Sequence, residues 1–425
     1  MPVKPLSFAN SEALFARAQQ VVAGGTTQGK APNTLIPGEY PIYAARGQGA
    51  HLWDVDGNRF LDWILAYGII VLGYCDPDVD AAAIEQIRQG FAFPLTCPVQ
   101  NELAELLVEI IPCAERVHFF KTGSDTTTAA VRLARIVTGR EKVVRWGYNG
   151  WHDWCCLREA GIPLKVREDV HTFRYNDLNS LEDVLKDCRD QVACVIMMPL
   201  EIEPPQPDFL AGVRELAHQH GALFILDEMR SGFHLALGGA QEYYGVTPDL
   251  ATFSKAMSNG YAISVLAGQR ELMDALSRTY VSSTFFTNSI AMAAALTTIQ
   301  KLRREKVIPH LWHIGQELME GLDRLAWDLG VEAQTVGVPP MPFLSFTYAE
   351  PETREAARYF FYRETARRGV LLHPSHHWFV CASHTEQDLA HTLEVADAGF
   401  RAVKEALARG DRAPSAQRVA VTAND

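Results

Sequence analysis

The sequence predicts an α/β protein with a mostly parallel sheet flanked by helices. From about residue 78 to 300, short runs of β-branched or apolar residues alternate with longer stretches of helical periodicity. This alternation is typical of parallel strands, because each needs a crossover of roughly a dozen residues or more to reach its neighbour. The predicted strands are Val117–Phe120, Val143–Arg145, Ala193–Met197 and Leu223–Leu226, and the predicted helices include Ser124–Val137, Leu181–Cys188 and Phe209–His220.

The amino-terminal region predicts a helix followed by a hairpin. Ser11–Val22 has the spacing of an amphipathic helix, with Ser11 as its cap and the glycine pair Gly24-Gly25 after its end. His51–Trp63 has the pattern of two short strands, and Asp56-Gly57 between them predicts a type I′ turn.

The carboxyl-terminal region indicates a smaller α+β lobe. We expect residues 1–75 to form the first part of this small domain, 76–308 a large domain, and 309–408 the second part of the small domain. The polar residues 409–425 show little periodicity and predict a mobile tail. The helical patterns here are Leu311–Asp328, Glu352–Arg368 and Glu386–Leu407, and the strand candidates are Phe343–Tyr348 and Trp378–Cys381.

The composition excludes several classes of partner. A formal net charge of −12 over 425 residues argues against nucleic acid, whose phosphates require a basic face. The longest apolar stretch, Trp63–Cys75, is shorter than the roughly 20 residues of a membrane span, and the amino terminus lacks the apolar core of a signal peptide. The eight cysteines form no CxxC pair and no zinc spacing, so we expect reduced thiols, no metal site and a cytoplasmic location.

The segment Phe119–Thr128 predicts a phosphate-binding junction between a strand and a helix. Gly123 permits close approach of the backbone, and the hydroxyls of Thr122 and Ser124 lie beside N–H groups at the positive end of the helix dipole. Alone the motif is weak, because such a junction is more often a turn with a helix cap.

The segment Ala222–Glu228 predicts a carboxylate at the end of an apolar strand. The carboxyl ends of strands in an α/β sheet face the ligand crevice, so Asp227 can hold a proton on a pyridine nitrogen there, with Glu228 pointing elsewhere. A helix cap or a buried ion pair is the alternative for an isolated motif of this kind.

The segment Asp249–Gly260 predicts a reactive lysine in the same crevice. Lys255 follows an apolar strand, and a desolvated amine there becomes a nucleophile for an aldehyde. A lone lysine is nearly always a solvated surface charge. The combination with Asp227 and the phosphate junction favours a site for pyridoxal phosphate (PLP).

Together these segments resemble the class III aminotransferases of fold type I, in the branch that includes glutamate-1-semialdehyde aminomutase. The resemblance runs from about residue 10 to 405. It implies a large domain with a mostly parallel sheet, a smaller α+β domain built from both chain ends, and pyridoxal 5′-phosphate as cofactor. The matching segments are Ser11–Ala18, Gly24-Gly25, Leu52–Asp62, Leu226–Phe233, Gly238–Leu250 and Phe253–Met257.

The resemblance also implies a role for each matching residue. Lys255 would hold the cofactor as a Schiff base and shuttle a proton, and Asp227 would pair with the pyridine nitrogen. Tyr148 and Met229 would contact the two faces of the ring.

The phosphate of the cofactor would be bound by residues from two chains. Gly123 and Ser124 would contact it from one chain, next to Thr122. Thr284 of the partner subunit would reach it from the other, which implies a homodimer with shared active sites.

Four positions depart from the family's pattern without removing the cofactor chemistry. Lys121 replaces a usual Asn, Asn149 replaces the His that usually follows the stacking Tyr, and Met198 replaces a Glu. The fourth is Ala31, at or near an Arg that binds the substrate carboxylate of the aminomutase. Lys30 compensates only in part, because a lysine lacks the bidentate fork of an arginine.

These departures bear on the substrate. A pocket without an arginine suits a neutral or cationic polyol, so the sequence predicts an oxidised amino sugar or aminoglycoside intermediate as acceptor, with glutamate or glutamine as amino donor. The residues expected to line the substrate pocket are Tyr67, Trp151, His152, Asp153 and Trp154, with Lys30.

Two kinds of alternative remain open at this point. The first is another PLP enzyme: an aminomutase, an epimerase or an amino-acid aminotransferase. The missing arginine argues against glutamate semialdehyde as substrate. The second is a non-catalytic PLP-binding regulator, which normally carries an added basic DNA-binding domain for which this chain has neither room nor charge.

Overall fold

The structure is a computed structural model, and it describes residues 6–27 and 35–414. The chain divides into two compact units. The terminal unit contains the described residues of Met1–Tyr67, Gly73–Cys75 and Trp312–Asp425, and the central unit contains Gly68–Leu72 and Asp76–Leu311.

The strands and helices are numbered in chain order. The strands are β1 (Ala44–Gln48), β2 (His51–Asp54), β3 (Arg59–Asp62), β4 (Arg116–Phe120), β5 (Lys142–Trp146), β6 (Val170–Thr172), β7 (Val192–Met197), β8 (Leu223–Asp227), β9 (Leu250–Phe253), β10 (Ser264–Gly268), β11 (Ala333–Val338), β12 (Met341–Phe346) and β13 (Val370–Leu371). The helices are α1 (Ala9–Val21), α2 (Leu65–Gly68), α3 (Pro77–Gln89), α4 (Pro98–Ile110), α5 (Gly123–Thr138), α6 (Leu164–Glu168), α7 (Leu178–Asp187), α8 (Phe209–Gln219), α9 (Ala240–Tyr244), α10 (Arg270–Asp274), α11 (Ser289–Arg304), α12 (Val307–Leu329), α13 (Pro351–Arg367) and α14 (Glu386–Arg409). Short 3₁₀ helices lie at Ala23–Gly25, Lys255–Ser258 and Ala275–Arg278.

A seven-stranded sheet forms the middle of the central unit, in the order β4-β10-β9-β8-β7-β5-β6. Strands β9, β8, β7, β5 and β6 are parallel, whereas β10, which the sequence pattern did not predict, runs antiparallel to both β9 and β4. Every residue of β7 is buried, as expected for a strand with both faces covered. The predicted α/β fold with a mostly parallel sheet is therefore confirmed.

Two apolar clusters cover the two faces of this sheet. Because successive side chains of a strand point to opposite faces, residues 194–197 of β7 alternate between the two clusters. Ile196 packs in the cluster that contains Leu133 of α5, and Val195 packs in the cluster that contains Val213 of α8. The helices that carry the sequence's amphipathic patterns thus enclose the sheet on both sides.

The terminal unit contains a four-stranded sheet, in the order β1-β2-β3-β13, and a separate hairpin of β11 and β12. Strand β13 pairs parallel to β3, with Val370 opposite Leu61, so distant parts of the chain meet in one sheet. Helices α13 and α14 pack against each other, and the rings of Phe361 and Phe400 lie 4.8 Å apart.

The hairpin predicted within His51–Trp63 forms as β2 and β3, but its turn is not of type I′. A type I′ turn requires a positive φ at both of its central residues. Gly57 has a φ of 86°, but the φ of Asp56 is not positive. The carboxylate of Asp54 accepts the backbone N–H groups of Asp56 and Asn58 at 3.0 and 2.8 Å. A side chain before the turn therefore organises this loop.

Helix α1 begins before the predicted position and is capped by a distant residue. Ser11 is buried inside the first turn and is not the cap. The backbone N–H groups of Asn10 and Ser11 donate to the carboxylate of Asp56 at 2.8 and 3.0 Å. This contact supplies the acceptor that the free N–H groups of a helix start require.

The strand predicted at Trp378–Cys381 is wrong. The segment has no regular secondary structure and is held by single backbone hydrogen bonds. The Trp378 N–H donates to the Pro342 carbonyl at 2.9 Å, and the Phe379 N–H donates to the Trp63 carbonyl at 2.8 Å. Its apolar pattern reflects burial between other segments of the terminal unit.

The last helix, α14, ends where Gly410 adopts a left-handed conformation with φ of 73°. Residues 415–425 of the predicted tail lie outside the described residues. Within the described part of the chain, no helix combines the length and the apolar character that a membrane crossing requires.

Candidate active site

Asp227 is a buried carboxylate at the carboxyl end of β8, with 1% of its surface exposed. Asn149 Nδ2 donates to its Oδ2 at 2.9 Å, and the Thr252 hydroxyl and the Met229 N–H donate to its Oδ1, both at 3.2 Å. Burial raises the pKa of Asp227, while these donors and the charge of Lys255 act to lower it. The surrounding groups therefore favour the ionised carboxylate in a place shielded from water.

Lys255 lies at the same edge of the sheet because β8 and β9 are parallel. Thr252 of β9 is opposite Asp227 in the register, and the chain continues through Ser254 to Lys255. Lys255 has a φ of 47°, in the left-handed region that side chains other than glycine rarely adopt. The Ser254 hydroxyl donates to the Ile263 carbonyl at 2.7 Å and anchors this bend. A backbone held in such a conformation is typical of functional positions.

The amino terminus of α5 offers a place for an anion. The helix begins at Gly123, and its first N–H groups lie at the positive end of the helix dipole. A Cβ at Gly123 would lie 2.9 Å from the sulfur of Met229, and a Cβ at Gly150, where φ is 122°, would lie 2.6 Å from Ser124 Oγ. Close approach of neighbouring groups therefore requires glycine at both positions.

These elements enclose a cavity of about 210 Å³. Six of the residues predicted from the sequence line it, and they come from segments far apart in the chain. They are Gly123, Ser124, Tyr148, Asp227, Met229 and Lys255. The remaining lining residues are Asn149, Gly150, Met198, Arg230 and Ser254.

Thr122 does not line this cavity, although it was predicted with the phosphate group. It caps α5, with its hydroxyl donating to the Asp125 carboxylate at 2.7 Å and accepting the Asp125 N–H at 3.3 Å. Thr122 therefore shapes the start of the helix, and the neighbouring Gly123 and Ser124 reach the cavity.

The predicted substrate residues of the segment 151–154 also lie outside the cavity lining. Trp151 and Asp153 are exposed, and His152 Nδ1 lies 2.8 Å from the Thr128 hydroxyl. Trp154 is buried, and its Nε1 donates to the same hydroxyl at 2.8 Å. The segment is thus fastened to α5 through Thr128.

Three further residues were predicted as site residues: Tyr67, Thr284 and Lys30. Tyr67 belongs to the terminal unit, where its ring makes edge contacts with those of His373 and His376, with centroids 5.5 and 5.2 Å away. Thr284 is exposed in the loop before α11. Lys30 lies outside the described residues.

Two polar residues of the cavity were not predicted as site residues. Asn149 was noted only as a departure from the family's pattern, yet it contacts Asp227 directly. Arg230 lines the cavity and is only 9% exposed. The expectation of a pocket without arginine is therefore wrong. Burial lowers the pKa of Arg230, and the carboxylates of Glu201 and Asp227 oppose this shift. Its position soon after Asp227 was the available signal, since the turn after β8 stays at the same sheet edge.

Glu228 points away from the cavity and organises the turn that follows β8. Its carboxylate is fully buried and accepts the N–H groups of Ala240 and Gln241 at 2.8 and 2.9 Å and the hydroxyl of Ser231. A Cβ at Gly239 would lie 2.7 Å from this carboxylate. Burial raises the pKa of Glu228 to about 7.

Comparison with known proteins assigns this arrangement to a family. The model of the family "Aminotransferase class-III" matches residues 37–382. The chain belongs to the class III aminotransferases. The predicted family, the enzymatic nature of the protein and its dependence on pyridoxal 5′-phosphate are therefore confirmed.

Individual relatives of this aminotransferase match along nearly the whole chain. A 3-aminobutyryl-CoA aminotransferase of Cloacimonas acidaminovorans (strain Evry) is 43% identical, over 95% of this chain and 99% of the relative. The glutamate-1-semialdehyde 2,1-aminomutase 2 of Brevibacillus brevis is 34% identical, over 93% and 98%. The FumI protein of Sphingopyxis sp. MTA144, solved in a PLP internal aldimine form, is 32% identical with a TM-score of 0.90, over 94% and 98%.

The cavity of the aminotransferase fits pyridoxal phosphate. An amine, a buried acid and a helix amino terminus match the aldehyde, the ring nitrogen and the phosphate of this cofactor, respectively. The glycines Gly123 and Gly150 let the side chains of Met229 and Ser124 approach the backbone at the start of the helix closely. Within residues 6–27 and 35–414, no three His, Cys, Asp or Glu side chains gather in a way that could hold a metal ion.

The raised pKa of Glu228 predicts a pH-dependent term in stability. In the unfolded chain a glutamate titrates near pH 4.3. Between that pH and about 7, Glu228 therefore binds a proton more tightly in the folded protein than in the unfolded chain. The resulting stabilisation is complete below about pH 4.3 and is lost as the pH rises through about 7. We expect a loss of up to about 3 kcal/mol in the free energy of unfolding.

The matched comparison is Glu228→Gln, which preserves the side-chain shape but does not titrate. Urea unfolding of both proteins between about pH 5 and about pH 8 should show the stability of the wild type decreasing relative to the variant. A stability difference that is constant over this range would contradict the assignment.

Proposed function

We propose that this aminotransferase transfers amino groups to and from the third carbon of acyl compounds, with 3-aminoacyl thioesters as its substrate class. The observation that carries the proposal is the 43% identity, over 95% of the chain, to a relative named 3-aminobutyryl-CoA aminotransferase. That match extends over 99% of the relative, so the segments that form its substrate pocket have counterparts here.

The position of Arg230 supports an acyl substrate. Arg230 lines the cavity that contains Lys255, and the residue is largely removed from water. A desolvated guanidinium is most stable when its donors meet a carboxylate or a polarised carbonyl oxygen. An acyl group supplies such an oxygen close to the carbon that carries nitrogen, whereas a polyol supplies only hydroxyls.

We assign the chemistry of the transfer to Lys255 and Asp227. Bound pyridoxal phosphate supplies an aldehyde that takes up the amino group and a ring that withdraws electrons. Lys255 Nζ is the amine that would bind this aldehyde, and once released it would take the proton from the carbon that carries the donor's nitrogen. Asp227 would hold a proton on the ring nitrogen.

Four other residues would position the cofactor. Tyr148 and Met229 supply an aromatic and a thioether side chain to the cavity, which suits them to contact the ring. Gly123 and Ser124, at the start of α5, would hold the phosphate through backbone N–H groups and a hydroxyl. A donor such as glutamate or glutamine would complete the second half of the reaction.

We also propose a homodimer in which Thr284 reaches the phosphate of the partner subunit's cofactor. Thr284 lies in a loop whose Tyr280 and Phe285 are 85% and 66% exposed. This loop joins a second segment with exposed apolar side chains, because the Ser289 N–H donates to the Phe91 carbonyl at 3.3 Å. Exposed apolar surface of this kind marks an interface between proteins.

An oxidised amino sugar is a second candidate substrate. Tyr148 and Trp151 are 49% and 69% exposed, and Asp153 is exposed close by in the chain. Aromatic faces and a carboxylate are groups that an amino sugar can use for stacking and charge pairing.

The assignment of Lys255 predicts the site of covalent attachment. Borohydride reduction of the PLP-loaded enzyme followed by peptide mapping should leave the reduced adduct on Lys255. Lys255→Ala should take up no covalent label, whereas Lys121→Ala should label as the wild type does. Label on another lysine would overturn the assignment.

The substrate proposal predicts which carbonyl compound restores the aldehyde form of the cofactor. Pyridoxamine-phosphate-loaded enzyme should react with a 3-oxobutyryl thioester and with 3-oxo acids faster than with keto sugars or 2-oxo acids, as followed by visible absorbance. Arg230→Gln should raise the KM for the thioester by about 10- to 100-fold, because it removes hydrogen bonds from a charged donor. Reaction with keto sugars alone would favour the second candidate.

The shared-site proposal predicts complementation between two defective chains. Lys255→Ala removes the reactive amine, and Thr284→Asp places a carboxylate against the phosphate. In an equal mixture that has exchanged subunits, half of the dimers carry one intact site, so about one quarter of the wild-type activity should return. No recovery, despite exchange shown by mass spectrometry, would place Thr284 at the site of its own chain.

A further inference from the structure

The side chain of Asn149 is fixed at both ends of its amide. It is 2% exposed, its Nδ2 donates to Asp227 Oδ2 at 2.9 Å, and its Oδ1 accepts from Arg145 Nε at 3.3 Å. Since a guanidinium only donates and an ionised carboxylate only accepts, the amide can adopt just one of its two orientations here. Its backbone carbonyl also accepts the Thr127 hydroxyl at 2.7 Å.

Arg145, at the end of β5, anchors the loop that carries Asn149. Its side chain is buried, and its Nη1 and Nη2 donate to the carbonyls of Cys155 and Gly147 at 2.9 and 2.5 Å, respectively. The guanidinium thereby ties together both ends of the segment that contains Tyr148 and Asn149. The carboxylate charge that acts on this buried cation is that of Asp227, on the far side of the amide.

We infer that Arg145 and Asn149 are positioning residues that hold Asp227 ionised and correctly oriented toward the cofactor ring. The inference rests on the role proposed above for Asp227. Donation from Asn149 occupies one carboxylate oxygen and stabilises the negative charge, while Arg145 sets the orientation of the amide and balances that charge. Neither residue needs to touch substrate or cofactor for this role.

The decisive variant is Asn149→Asp, which has nearly the same shape but replaces the donor with a second carboxylate beside Asp227. Like charges at this distance disfavour the ionised form. We expect the Kd for pyridoxal phosphate, measured by absorbance titration of the apo-protein, to rise roughly 10- to 100-fold. We also expect a shifted visible absorbance maximum of the loaded protein, because the protonation of the ring nitrogen changes.

Asn149→Ala removes the donor without adding charge and should weaken cofactor binding less than Asn149→Asp does. Arg145→Gln should raise the Kd, and Arg145→Lys, which keeps the positive charge, should restore part of the affinity. The matched control is Thr127→Val, which perturbs the same loop through the Asn149 carbonyl but leaves the contact with Asp227 intact. It should change the Kd by less than about threefold.

Two results would overturn the inference. One is wild-type cofactor affinity and absorbance in both Asn149 variants. The other is an equal effect of Thr127→Val, which would mean that loop position alone matters. Thermal unfolding of each apo-protein separates lost folding from lost binding. Borohydride labelling of Lys255 should persist at saturating cofactor in every variant, so failure of the proposed function would be recognised separately.

Discussion

The role proposed for Asp227 requires one carboxylate to stay ionised in the interior of the protein. Removal from water raises the pKa of Asp227, and the opposing influences are hydrogen bonds from Asn149, Thr252 and Met229 and the charge of Lys255. A buried charge without such partners costs several kcal/mol. Each donor must therefore stay in place, and this restricts the conformation of the segment that supplies it. The need to surround the Asp227 carboxylate with donors therefore constrains three segments, namely the end of β8, the loop after β5 and the bend after β9.

The parallel sheet explains how residues so distant in sequence meet. Strands β5, β8 and β9 run in the same direction, so their carboxyl ends lie at one edge and supply Asn149, Asp227 and Lys255 to the same crevice. The antiparallel strand β10 joins β4 to this set, and the helix after β4 begins at Gly123. The cofactor site is thus a property of sheet topology, completed by glycines where groups approach most closely.

The proposed function assigns cofactor chemistry and substrate choice to different residues of the cavity. The amine, the acid and the helix start match groups of the cofactor, so in this proposal they define the reaction more than its substrate. Arg230, which also lines the cavity, is the residue assigned to the substrate, because a desolvated guanidinium favours an oxygen-rich partner.

The sequence alone determined most of the parallel strands of the central sheet, because strands buried on both faces appear as continuous apolar runs. It also placed Lys255 and Asp227 in one crevice, and both line the same cavity. Only the tertiary structure decided which side chains surround Asp227, that Arg230 lies in the cavity, and that Asp56 caps α1. The physical reason is that periodicity reports which residues are buried. The partner of a hydrogen bond and the direction of a side chain are set by packing between segments far apart in the chain.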